Sequence, residues 1–475
     1  MKKLLLIAIS LALTILLCSV SVFASGNADN NGYLEVEEEG DSITYIYDVE
    51  GLFGSKAVAK IGNVEFEGLQ EAIDAAGEGD TIVLLKDITI ETSAAELFHI
   101  YDNDKIVIDL NGKAINVTES ASGSFSIFYS YGDLTLKNGT VNLTATIERN
   151  WNASSAVVTN RGGVLTIESG SYNHLGGTAM AFSLDLSGNS YGDAYTTING
   201  GSLTSPYRAI RMRMADTTLN GNPGNGTVSL AVNGGYIYGT NCGIWGQITN
   251  PYAGELGGLG VTGGTIGGGT DAINIASDGH DNISVGITGE AVIEGPLNGE
   301  SNDFSISGGS FTHEIPDGFC AVGFVPEMKE DGSYGVATIS LKDAFTFIGY
   351  SVSTFSIDGK SSIAAGYMID QDVLAVYCLA NDVTVVDLGC AFGVGGIRED
   401  MCVSFSGYEA YRTFNAKIAG INPENDKHIN ASLAMALFID FGEGKSYVVE
   451  IDGQIEFVDA SNVPTVTYKS IVEAE

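Results

Sequence analysis

Leu165-Thr166-Ile167-Glu168-Ser169-Gly170, Thr197-Ile198-Asn199-Gly200-Gly201 and Leu230-Ala231-Val232-Asn233-Gly234-Gly235 are three copies of one phrase, a short run of alternating residues closed by glycine. Upstream stand Ile108-Asp109-Leu110-Asn111-Gly112 and Leu134-Thr135-Leu136-Lys137-Asn138-Gly139. Downstream come Leu259-Gly260-Val261-Thr262-Gly263-Gly264, a degenerate Val285-Gly286-Ile287-Thr288-Gly289, and Phe304-Ser305-Ile306-Ser307-Gly308-Gly309. Closing glycines at 112, 139, 170, 201, 235 and 264 set steps of 27 to 34 residues. A period of this size marks a repeat architecture.

Alternation at period two makes each copy a strand with one apolar face, and the closing glycine supplies a corner where positive φ costs little. One such strand cannot bury its face alone. Stacked rung on rung in parallel, the copies line a continuous interior with Leu, Ile and Val. The expected fold is all-β: a parallel β-helix over residues 56–338, with differences in step length bulging as loops from one corner. Its open ends need caps. Leu69-Gln70-Glu71-Ala72-Ile73-Asp74-Ala75-Ala76 has helical spacing and is expected to plug the first rung before a strand from Thr81 to Lys86; Gly318 to Ala337 reads as a closing hairpin.

Ala57-Val58-Ala59-Lys60-Ile61-Gly62, Leu69-Gln70-Glu71-Ala72-Ile73, Gly79-Asp80-Thr81-Ile82-Val83-Leu84-Leu85-Lys86-Asp87, Asp109-Leu110-Asn111-Gly112-Lys113 and Ile306-Ser307-Gly308-Gly309-Ser310-Phe311 together resemble the secreted pectin-lyase-like proteins of Gram-positive bacteria. That resemblance implies a right-handed parallel β-helix. It does not fix an activity, because such repeats occur both in polysaccharide-degrading enzymes and in surface proteins.

The chain of 475 residues carries 59 acidic against 22 basic side chains, a net charge of −37, with 62 glycines. Such acidity argues against nucleic acid and against an anionic membrane surface as partners. Met1-Lys2-Lys3, the apolar Leu4 to Leu17 and Val22-Phe23-Ala24 form the three parts of a secretory signal peptide, expected to be cut after Ala24. A lipoprotein reading through Cys18 fails because Leu17 is too bulky. The mature chain is expected outside the cell, released or held non-covalently at the surface, with no transmembrane anchor. Residues 25–55 form an acidic segment. Cys242, Cys320, Cys378, Cys390 and Cys402 show no metal spacing and read as buried thiols, with one disulfide among the last three left open.

After Ala337 the repeat ends and strands lengthen: Phe345 to Val352, Val373 to Leu379, Val383 to Leu388, Ala431 to Phe438, Tyr447 to Ile451 and Thr465 to Tyr468. This spacing predicts an antiparallel β-sandwich over 339–475, an accessory unit for spacing or attachment.

Candidate site residues come from aligning the second strand of the central rungs on Ala181-Phe182, Ala209-Ile210, Gly243-Ile244 and Ala272-Ile273. One outward column then holds Ser183, Arg211, Trp245 and Asn274, and the next Asp185, Arg213, Gln247 and Ala276. Indole, guanidinium and amide suit a sugar chain, through stacking, pairing with uronate or sulfate, and bonding to hydroxyls. The blander reading has the arginines neutralising nearby acids such as Asp185 and Asp216 on a solvated face.

The leading expectation is a non-catalytic protein binding a polysaccharide or cell-surface component through Ser183, Asp185, Arg211, Arg213, Trp245, Gln247 and Asn274. No cofactor is expected; the charge is compatible with weak calcium binding. The rival is a polysaccharide lyase or glycoside hydrolase using Asp185, Arg211, Arg213 and Asp271. Thr270-Asp271-Ala272-Ile273-Asn274 and Asp278-Gly279-His280 are faintly similar to polygalacturonase motifs, but no Asp-Asp pair follows, His280 precedes Asp281, and no Arg-x-Lys completes the set. A third reading is a purely structural extracellular scaffold.

Overall fold

The computed structural model describes residues 33–39, 42–47, 56–148, 153–176, 180–188, 192–214, 226–248, 257–275, 283–316, 318–354, 359–405, 407 and 412–474. The expected signal peptide, Met1 to Ala24, lies outside them. Within the acidic segment, Tyr33–Glu39 pairs antiparallel with Ser42–Tyr47.

From Thr81 to Phe311 the chain forms a parallel β-solenoid of three sheets. Each coil places a strand in sheet I, such as Asp133–Lys137, then one in sheet II, such as Thr140–Ala145, then one in sheet III, such as Ser155–Asn160. The glycine-closed phrases are the sheet I strands, and their last residues make the corner into sheet II. A coil therefore has three strands, and the segments aligned for the site are its third rather than its second.

Apolar residues stack coil upon coil. Ile82, Ile108, Leu136, Ile167, Ile198, Val232, Val261, Ile287 and Ile306 stand in one unbroken column, each paired with the next across parallel strands. All are buried in the solenoid core.

Polar ladders repeat the same register outside. Asn142 Nδ2 donates to Asn116 Oδ1 at 2.8 Å, Asn173 Nδ2 to Asn142 Oδ1 at 3.0 Å, and Thr204 Oγ1 to Asn173 Oδ1 at 2.8 Å. At the corner, Asn199 donates to Glu168, Asn233 to Asn199 and Thr262 to Asn233, each at 3.0 Å.

Connections differ sharply among corners. Those from sheet I to sheet II run from two residues to four. Those from sheet II to sheet III reach nine residues (146–154), and those from sheet III to the next coil reach thirteen (215–227). Length variation therefore enters at both corners bounding sheet III, not at the single corner expected.

Helix Leu69–Ala75 plugs the first rung with Leu69, Ala72 and Ile73, as expected, although the strand after it is shorter, Thr81–Leu84. Phe324–Met328 and Tyr334–Thr338 form the closing hairpin, which extends sheet II antiparallel.

The remaining chain packs two antiparallel sheets around a second core. Phe345–Thr354, Ser361–Ile369 and Thr413–Ile421 form one; Cys402–Ser404, Asp387–Val394, Leu433–Asp440, Lys445–Ile451 and Gln454–Val458 form the other, with Thr465–Val466 beside Leu433–Asp440. Val373 to Leu379, expected as a strand, lies in helix Gln371–Ala380. That apolar run has no alternation to distinguish strand from helix, whereas the Asp370 carboxylate accepts from the Asp372 and Val373 amides and caps the helix. All five cysteines described are free thiols, so no disulfide joins Cys378, Cys390 and Cys402. No helix among the described residues is long and apolar enough to cross a membrane.

Stacked corners make the glycines unequal. Gly112 and Gly201 both adopt left-handed backbone, φ +73° and +85°, but a Cβ on Gly112 meets open space and one on Gly201 would stand 2.6 Å from the Gly170 carbonyl oxygen. Gly112→Ala should cost about 1–2 kcal/mol, and Gly201→Ala distinctly more. Equal losses of melting temperature would contradict the close stacking of these corners.

Candidate functional site

The predicted residues fall on sheet III, whose strands share a kink. Ser126 pairs with Ala156 and Phe128 with Val158, passing over Ile127 and Val157. The same skip passes over Ser183, Ala209, Gly243 and Ala272 in later coils. Both members of Ile127-Phe128 and of Val157-Val158 lie in the core, so the alternation breaks at the same place in both strands and their register is kept.

This kink sets the register. Leu184 pairs with Ile210 and Asp185 with Arg211, so Ser183-Leu184 occupies the place expected for Ala181-Phe182. The expected alignment slips by two residues in that coil because serine stands where later coils have alanine or glycine. Ser183 is not on the outer face: it is buried, and its hydroxyl donates to the Thr204 carbonyl at 2.6 Å. In the following coils the expected register holds, with Arg211 opposite Trp245, Trp245 opposite Asn274, and Arg213 opposite Gln247.

The first outer row therefore runs His99, Tyr129, Thr159, Asp185, Arg211, Trp245, Asn274. A second holds Ser187, Arg213 and Gln247, and is continued upstream by Arg161 and Tyr131, whose amides extend the ladder to the Ser130 and Ile100 carbonyls. Nothing is described of the Gln247 side chain, and Ala276, Asp216 and Asp278 to His280 lie outside the described residues.

Arg211 and Asp185 are not the solvated groups expected, being 1% and 6% exposed. Arg211 Nε donates to Asp185 Oδ1 at 2.8 Å and its Nη2 to Oδ2, while the Ser154 hydroxyl also donates to Oδ2. Arg211 lies over the Phe182 ring, 4.5 Å from its centroid. Burial opposes the charge on Asp185, but Arg211, with Arg213 and Arg161 behind it, overcomes that and holds the carboxyl below its usual range. Burial, then repulsion from Arg211, lowers Arg213 from the ordinary arginine value. Three guanidiniums thus gather around one carboxylate.

Trp245 is not the open stacking surface expected: the Arg208 guanidinium sits 3.7 Å from its ring centre, and Phe182 stacks parallel to it at 6.5 Å. Other rings gather at the opposite end of the rows. His99 is 4.5 Å from Tyr101, 5.6 Å from Tyr129 and 5.8 Å from Tyr131, and Tyr101 is 54% exposed. Arg161 Nη1 donates to the Tyr129 hydroxyl at 3.1 Å, tying the rings to the arginines. Burial pushes the Tyr129 phenol up, so it stays protonated and accepts that bond. These rings, Arg161 and nearby hydroxyls were not singled out from the sequence. Carrying the alignment two coils upstream, on Ile127-Phe128 and Val157-Val158, finds Tyr129, Tyr131 and Arg161.

The four residues expected of an enzyme do not assemble. Asp185, Arg211 and Arg213 meet, but Asp271 stands three strands from Asp185, at least about 14 Å, where it accepts from Asn274 at 2.7 Å. Inverting hydrolysis places its carboxyl groups ~6.5–9.5 Å apart. Among the described residues no three His, Cys, Asp or Glu side chains cluster to hold a metal. Between Arg161 and Arg213 lies a small cavity of about 60 Å³ lined by serine and threonine hydroxyls. An open trough of about 420 Å³ on the outside of sheet I has only uncharged walls, among them Tyr195, Ala231, Gly260 and Gly286. The chain matches no protein-family model, no curated protein and no solved structure.

Breaking the buried pair with Asp185→Asn should cost about 3–5 kcal/mol. A carboxyl held low stabilises the fold above its unfolded pKa, near 4, and that contribution is lost as pH falls through the lower folded value. The gap in melting temperature between wild type and Asp185→Asn should therefore narrow below about pH 4. A gap unchanged down to pH 2 would show that Asp185 does not titrate in this way.

Proposed function

We propose that this chain is a secreted or cell-surface-associated β-helix protein of the pectin-lyase-like kind, binding an acidic polysaccharide along the outer face of sheet III without cleaving it. One observation carries this reading: Arg211 takes the one carboxylate of the site, Asp185, and leaves Arg161 and Arg213 beside it without an acid partner among the described residues, next to a cluster of aromatic rings, in a chain with a large excess of acids. Arginines placed merely to neutralise acids would each find one. Rings stack on apolar sugar faces, while guanidiniums pair with uronate or sulfate. The leader-like start of the chain supports export, and the C-terminal sandwich serves spacing or attachment.

The reading without catalysis rests on the state of the acids. Asp185 is locked in an ion pair, and Asp271 is both distant and tied to Asn274. Neither is placed to share proton transfer across one glycosidic bond.

The test incubates the full chain with acidic and neutral polysaccharides, with and without calcium, measuring affinity, chain length and unsaturated ends. Acidic chains should bind without shortening, and Tyr101→Ala should weaken binding roughly tenfold. Shortened chains would establish the lyase or hydrolase reading instead. Absence of binding to every polysaccharide would leave the scaffold.

A further inference from the structure

The cavity between Arg161 and Arg213 is bounded on one side by the Asp185–Arg211 pair and on the others by hydroxyls of Ser126, Ser154, Thr159 and Ser187. Nε of Arg161 and Nε of Arg213 are both buried and meet no acceptor among the described residues. A buried donor without an acceptor costs roughly 1–3 kcal/mol, more when charged. Neither Nε bonds Asp185, whose oxygens take Arg211 and the Ser154 hydroxyl. An acceptor carrying negative charge in this cavity would answer both donors and both guanidinium charges.

We propose that this cavity binds one oxyanion, the carboxylate or sulfate group of an acidic ligand, held between the guanidiniums of Arg161 and Arg213 with the Asp185–Arg211 pair as a fixed wall. The inference rests on the reading of this face as a binding surface and specifies what the face recognises. Opposite Arg213 on the neighbouring strand stands Ser187, short enough to leave the space open. Arg161 bonds Tyr129, so a group seated in the cavity lies next to the first ring of the aromatic ladder. The acid of one sugar would dock while a neighbouring ring stacks.

An arginine kept for a ligand differs measurably from one kept for the fold. In buffer free of oxyanions Arg213 faces two other guanidiniums across a low-dielectric space, so Arg213→Gln should be at least as thermally stable as wild type. Inorganic sulfate and acetate are the probes, titrated into the full chain at constant ionic strength. One of them should bind wild type and the Arg398→Gln control, whose parent residue pairs with Asp400 in an exposed turn. Binding should fall roughly tenfold or more in Arg213→Gln and in Arg161→Gln. Preference for sulfate identifies ester sulfate as the source of the group, and preference for acetate a uronate.

Ser187→Asp gives a second readout that does not remove a guanidinium: its carboxylate should fill the cavity, raise the melting temperature and abolish probe binding. The proposal is overturned if neither probe binds wild type, if Arg213→Gln is less stable than wild type without oxyanions, or if Ser187→Asp still binds the probe. An acidic polysaccharide held equally by wild type and Arg213→Gln would overturn the cavity and leave the binding face standing. Probe binding with no polysaccharide bound would keep the cavity and remove the polysaccharide.

Discussion

Parallel pairing between successive coils is the constraint on which everything else in the solenoid rests. A strand can give its hydrogen bonds to the coil below and the coil above only if each coil returns at the same height and in the same phase. Side chains alternate with period two, so a slip of one residue would turn the column from Ile82 to Ile306 out of the core. Register is thus fixed by the interior and repeated outside by the asparagine ladders, where one amide donates to the next across the same rungs. The short sheet I to sheet II corner locks it a third time, because Gly201 fits against the Gly170 carbonyl without a side chain between them.

The same register creates the site. Asp185 and Arg211 are 26 residues apart in sequence and adjacent in space because each is the first outward residue beyond the kink of its coil. Burial then turns an ordinary surface pair into one that neither partner can leave without stranding the other's charge. With Asp185 committed to Arg211, Arg161 and Arg213 form a positive patch on a strongly negative molecule. Proximity alone produces this asymmetry, and no single coil contains it.

How much of this was legible in sequence follows from which signals repeat. Glycine corners and alternating Leu, Ile and Val recur in every copy, and they specify the sheet I strands and the stacking. The sheet III rows were legible wherever the kink carries a small apolar residue: Ala209, Gly243 and Ala272 led to Arg211 opposite Trp245 and Trp245 opposite Asn274. Ser183 broke that pattern and placed Asp185 in the second row instead of the first, which hid its pairing with Arg211. Burial was not legible, since an outward position on a strand reads as solvated whatever later folds against it. Arg161 and the tyrosines went unread for a simpler reason, namely that Ile127-Phe128 and Val157-Val158 are bulkier than the pairs used for alignment. In the C-terminal third, the uniform apolar run after Asp370 carried no period at all, and only the capping aspartate distinguished helix from strand.

The connection lengths have a consequence for change over generations. Insertions at the corners on either side of sheet III leave the hydrogen-bonded stack untouched, and doubling a flexible loop costs only about 0.6 kcal/mol. Segments such as 146–154 and 215–227 border the rows that carry Arg161 and Arg213. The surroundings of these two arginines can therefore change by lengthening or exchanging these segments while the stack keeps its register, much as a printing press keeps its frame when the type is reset. The first corner, held to four residues or fewer, has no such freedom.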